Sequence, residues 1–104
     1  MAGKKREREG DVALKPRKKT KKPELYKVLV HNDDYTSMDF VVMVLESIFS
    51  KSPAEAYRVM IHVHESGIGI AGVYSHDVAE TKVALTHAAA KDAGHPLRCS
   101  IEPE

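Results

Sequence analysis

From Leu25 to Ile101 the apolar residues keep changing their spacing, from every second position to every third or fourth and back. Each change falls on residue types that stop one element and start the next. Tyr26, Val28 and Val30 alternate with Leu25, Lys27, Leu29 and His31, which predicts a first strand over 25–31. Asn32, Asp33 and Asp34 end it, because their short side chains bond to nearby backbone amides. Thr36-Ser37-Met38-Asp39 offers a helix start with a capping box, and Met38, Val41, Val42, Leu45, Ile48 and Phe49 follow at helical spacing. Ser52-Pro53-Ala54-Glu55 is a stronger start, with a capping serine, proline at the first helical position and glutamate at the third. This second helix should reach about Glu65 and end on Gly67. Ile68, Ile70, Val73 and Tyr74 predict a second strand in which Gly69 and Gly72 permit close backbone approach. Ser75 is placed to cap a third helix carrying Val78, Ala79, Val83, Leu85 and Ala90 and ending at Gly94, with Pro96 beyond it. Leu97, Cys99 and Ile101 alternate as a last strand. The order is βααβαβ, and the fold class is α+β: a small three-stranded antiparallel sheet packed against three helices. The pattern leaves strand neighbours open, but adjacency of the first and last strands would bring the chain ends together.

Charge divides the chain. Residues 1–22 hold 10 of the 16 Lys and Arg against 3 of the 15 acids, a balance of +7, which leaves 6 basic and 12 acidic side chains, about −6, for residues 23–104. The first stretch has only Val12 and Leu14 as large aliphatics after the start, too little apolar surface to offset its conformational entropy, so residues 1–22 read as a disordered basic extension. Residues 23–104 read as one domain, since a chain of 104 residues seldom holds two cores. No apolar run is long enough for a membrane span and the first residues are charged, which places the protein in the cytoplasm as a monomer by default. The single cysteine, Cys99, excludes an internal disulfide and a multi-cysteine metal site, and is expected in the core.

The densest constellation is the turn Asn32-Asp33-Asp34-Tyr35-Thr36 set against the end of the second helix, where Met60, Val63 and His64 share a face. If the turn packs over that face, polar acceptors ring an apolar hole suited to a cation beside an apolar group. Each part has a plainer reading: such a turn is more often a strand-to-helix connector, and a Met-Val pair is more often core. His62 and His64 lie on different sides of a helix and cannot readily share a metal. No catalytic triad, phosphate loop, cofactor or metal ligand set emerges. The competing classes are a nucleic-acid-binding module acting through Lys18-Lys19-Thr20-Lys21-Lys22 and a hydrolase with His64 as base; an acidic domain argues against the first.

The run from Tyr26 to Val41, with Asn32-Asp33-Asp34-Tyr35-Thr36-Ser37-Met38-Asp39-Phe40-Val41 at its centre, resembles the opening of ClpS, the adaptor of the bacterial N-end rule, whose usual form contains NDDYTPMEFV. Met60-Ile61-His62-Val63-His64, Gly72-Val73-Tyr74 with Val78-Ala79-Glu80-Thr81-Lys82-Val83-Ala84, and His95-Pro96-Leu97-Arg98-Cys99 agree as well. The resemblance covers about residues 24–102. It implies an adaptor, not an enzyme, that binds proteins whose first residue is Leu, Phe, Tyr or Trp and delivers them to the AAA+ unfoldase ClpA with ClpP. It implies that Asn32, Asp34 and His64 hold the α-amino group with Asp33 near the peptide backbone, and that Thr36, Met38, Val41, Met60, Val63 and Leu97 wall the side-chain pocket. Tyr35, Asp77, Glu80 and Lys82 are similar to the unfoldase-facing surface. Ser37 departs from the usual proline, which is expected to loosen the first helical turn; His62 and the strongly basic extension are further departures. Some organisms carry a second, divergent copy of this adaptor.

Overall fold

The computed structural model describes residues 23–104; the expected disorder of the basic extension, residues 1–22, lies outside them. The elements run β1 (Leu25–His31), α1 (Met38–Ser47), α2 (Pro53–Ser66), β2 (Ile68–Ser75), α3 (His76–Ala93) and β3 (Arg98–Pro103). One antiparallel sheet of order β2-β1-β3 puts the first strand in the middle, beside the last.

Alternation along β1 sets the two faces of the sheet. Val28 and Val30 are buried among Val41, Val44, Leu45, Met60, Val63, Ala71, Ala79, Ala90, Leu97 and Cys99. Leu25, Leu29 and His31 keep partial or full exposure on the other face. The register of β1 against β2 slips between Val28, opposite Gly72, and Leu29, opposite Ile70, so Ala71 is the extra residue of a bulge.

Local chemistry explains the helix ends. Ser52 and Glu55 exchange bonds in a full capping box, Oγ accepting from the Glu55 amide at 3.2 Å and the Glu55 carboxylate from the Ser52 amide at 3.1 Å. The glutamate is held below its ordinary pKa by those bonds. Gly67 and Gly94 end α2 and α3 in the left-handed region, where a side chain would be strained.

Three expectations need correction. Ser75 stands at the N-cap of α3 but makes no side-chain bond there. Val78 and Leu85 point outward, 43% and 51% exposed, while Thr86 fills the core and donates its hydroxyl to the Lys82 carbonyl at 2.9 Å. A polar side chain satisfied within its own helix turn costs little to bury, so apolarity alone misassigns the inner face. Helix α1 stops at Ser47, so Phe49 is buried from the following turn, and Val44 takes the inner helical position instead.

Candidate functional site

The turn after β1 and the end of α2 meet because the Asn32 amide donates to the Gly67 carbonyl at 2.9 Å, across the sheet edge from the helix terminus. Asp33 then shapes the turn. Its Oδ1 accepts from the Tyr35 and Thr36 amides at 2.8 and 2.7 Å, and its Oδ2 accepts from the Thr36 hydroxyl at 2.7 Å. Partial burial works to raise the Asp33 pKa, but the Thr36 hydroxyl, the two amides and His95 outweigh it and leave the carboxyl below its ordinary value.

Ser37 follows as the N-cap of α1, its Oγ accepting from the Phe40 amide at 3.1 Å. The serine therefore tightens the first turn instead of loosening it, since it satisfies an amide that a proline ring cannot bond. The partner at the third helical position is Phe40, so no capping box forms there.

Between turn and helix lies a cavity of about 280 Å³ lined by Asn32, Asp33, Asp34, Thr36, Met38, Val41, Met60, Val63 and His64. Its floor is apolar: Val41, Met60 and Val63 are buried, and Met38 stands half-exposed at the rim. Its polar end is different in kind. Among the described residues no protein hydrogen bond engages the Asn32 side chain, the Asp34 carboxylate or the His64 ring, whereas Asp33 is fully occupied in the turn. Three uncommitted acceptors beside an apolar hole can take a compact cation carrying an apolar group.

Leu97, grouped with this wall by sequence, does not line the cavity; it is 4% exposed in the core. His62 faces away, into a wider groove of about 550 Å³ with Leu29, Arg58, Val59, Ile68, Ile70 and Glu102 on the outer sheet face. That groove is the larger of the two, but it lacks a convergence of free acceptors, so the chemistry favours the smaller cavity.

The remaining predicted residues lie elsewhere. Tyr35 projects from the turn, 81% exposed. Asp77 and Glu80 are exposed on the first turns of α3, 3.8 and 3.7 Å from His76 Nδ1. Lys82 is committed: its Nζ donates to the Ile48 carbonyl at 2.7 Å and lies 5.6 Å from the Tyr74 ring centre. No helix among the described residues is long and apolar enough to cross a membrane.

Residues 21–100 match the family described as ATP-dependent Clp protease adaptor protein ClpS. The ClpS adapter of Desulfatibacillum aliphaticivorans is 55% identical over 95 residues, 91% of each chain. That of Caulobacter vibrioides is 52% identical over 93 residues, 89% of this chain and 85% of its own. Agrobacterium tumefaciens ClpS2, solved bound to L-phenylalaninamide, superimposes with a TM-score of 0.77 at 42% identity, over 80% of this chain and all of that one. Phenylalaninamide is a free amine beside an aromatic side chain.

Proposed function

This chain belongs to the ClpS family of ATP-dependent Clp protease adaptors, and from that premise we propose how its cavity reads a substrate. The function is that of an N-degron adaptor: it binds the first residue of a protein destined for degradation. In our reading the α-ammonium sits among Asn32, Asp34 and His64, and the side chain enters the hole walled by Met38, Val41, Met60 and Val63, with Thr36 at its edge. Asp33 acts through the turn it braces and lies beside the peptide backbone. The observation that carries this reading is that three acceptors have no protein partners among the described residues and stand at one end of one partly apolar cavity.

An ammonium is a point charge with three N–H donors and no acceptor, so an amide oxygen, a carboxylate and a neutral imidazole nitrogen satisfy it completely. The two methionines, flexible and polarisable, accept both aromatic and Leu side chains, so the substrates are proteins beginning with Leu, Phe, Tyr or Trp. Delivery is to a ClpA-type unfoldase with ClpP in the cytoplasm, through the exposed surface that includes Tyr35, Asp77 and Glu80, with Lys82 bracing it from inside; the adaptor acts as a monomer and catalyses nothing. The nucleic-acid reading of the basic extension finds no support in these relatives.

The test is fluorescence anisotropy with peptides that differ only at the first residue, each with a free or an acetylated amine. Free Leu, Phe, Tyr and Trp peptides should bind and their acetylated forms should not. Equal binding of the acetylated forms removes the ammonium site from this account.

A further inference from the structure

We propose that the wide groove on the outer face of the sheet is a docking site for residues 12–14 of this chain's own basic extension. The groove, about 550 Å³, is lined by Leu29, Val59, Ile68 and Ile70, with Arg58 contributed by α2 and Glu102 by β3. Strand pairing makes this face apolar: Leu29 stands opposite Ile70 and Lys27 opposite Val73, so these side chains share the side turned away from the core. Leu25, Ile68, Ile70 and Val73 are all exposed. Strand β2 is also an edge of the sheet, and from Ile68 to Tyr74 it carries neither a charge nor a proline. Edge strands are ordinarily guarded by charge, by proline or by a segment laid over them, and only the last of these is left to this one.

Three observations select the occupant. Val12 and Leu14 are the only large aliphatic residues of the extension after Met1, and with Ala13 they form one apolar triplet. Asp11 precedes the triplet and Lys15 follows it, an acid and a base that complement Arg58 and Glu102. Arg58 makes no ion pair among the described residues, and Glu102, 3.4 Å from Lys27, is exposed enough to face a second lysine. The extension joins the domain at Leu25, four residues along β1 from Leu29, which is about 13 Å of strand. The ten residues from Lys15 to Glu24 span up to roughly 33–36 Å, so the triplet reaches the groove with chain to spare. Tethering presents it at an effective concentration on the order of millimolar, which favours the chain's own segment over a second copy.

The experiment attaches a nitroxide to the full chain through Gly10→Cys and reads the loss of amide signals by NMR; the buried Cys99 thiol takes no label in the native fold. The signals of Leu29, Ile68 and Ile70 should lose most of their intensity, while those of Thr81 and Leu85 on the exposed side of α3 should keep it. Val12→Ser combined with Leu14→Ser, which leaves the domain untouched, should restore the groove signals. Ile70→Asp should do the same, with the fold intact by circular dichroism. Groove signals at full intensity in the parent, or a loss that survives the double substitution, overturn the docking. Nitroxide-bearing chain mixed with isotope-enriched chain lacking the nitroxide should show no loss. An equal loss in that mixture assigns the groove to the extension of a second copy and overturns the contact within one chain.

Discussion

Gly69 lies so close beneath Val63 that a methyl group on its α-carbon would stand 2.6 Å from Val63 Cγ2. The glycine of β2 thus sets how deeply the end of α2 seats on the sheet, and with it one wall of the cavity between the turn and α2. Val63 cannot yield by rotation, because a β-branched side chain in a helix has one strongly preferred χ1. Gly69→Ala should therefore push α2 outward, costing about 1–3 kcal/mol of stability and weakening Phe-peptide binding several-fold. Thermal denaturation and anisotropy check it; a variant that binds and melts like the parent shows that the contact relaxes freely.

Asp33 should matter through the turn. Its pKa is lowered in the folded chain, partial burial being outweighed by the bonds from Thr36 and Tyr35. The sign follows: its contribution to stability is present above the unfolded carboxyl value of about 3.9 and is lost as pH falls through the lower folded value. Between about pH 8 and 5.5 the turn should therefore hold. At fixed pH, His64→Ala should weaken binding of free-amine peptides and His64→Gln, whose amide oxygen can still accept, should weaken it less. Equal affinity of parent and both variants removes His64 from the ammonium site.

The thiol of Cys99 is pushed up to about 11 from 9.0 by burial, which outweighs the nearby Thr86 hydroxyl. A group raised in the fold stabilises the protein below its unfolded value and loses that contribution as pH climbs from about 9 towards 11. At pH 8 the native thiol should react with an aromatic disulfide reagent far more slowly than the thiol of the denatured chain. Rapid native reaction would mean that β3 opens readily from the sheet.

Much of this was legible because it is local. Ser52 with Glu55, Gly67 and Gly94 are signals read within four residues, and each stands where its chemistry predicts. The convergence of the Asn32 turn on Met60, Val63 and His64 was readable only as a condition, since the bond that enforces it joins Asn32 to Gly67 across the fold. What was missed is tertiary in the same way. Lys82 reaches a carbonyl 34 residues away, Thr86 is buried because its own helix satisfies it, and Leu97 is apolar for the core instead of the cavity.

Met38 should act as the filter against first residues branched at Cβ. The cavity grades from Val63, 2% exposed, through Met60 and Val41 to Met38 at 44%, so on the proposed reading Met38 is the part of the wall that an entering side chain would pass nearest the backbone. Ile and Val carry a second heavy atom at that level and have little freedom at χ1 to turn it away. The overlap costs on the order of 1–3 kcal/mol, or roughly a ten- to hundredfold loss of affinity against Leu. Met38→Ala should admit Ile and Val while weakening Leu and Phe slightly through lost contact; the residue is half-exposed at the start of α1, so the fold should tolerate the change. Hydrophobicity alone predicts the opposite pattern, with Ile binding about as well as Leu in the parent protein. Competition among Leu-, Phe-, Ile- and Val-initiated peptides on both proteins separates the two. If the preference for Leu over Ile survives the substitution unchanged, the filter lies deeper, against Val41 or Met60, and Met38 is merely a rim contact.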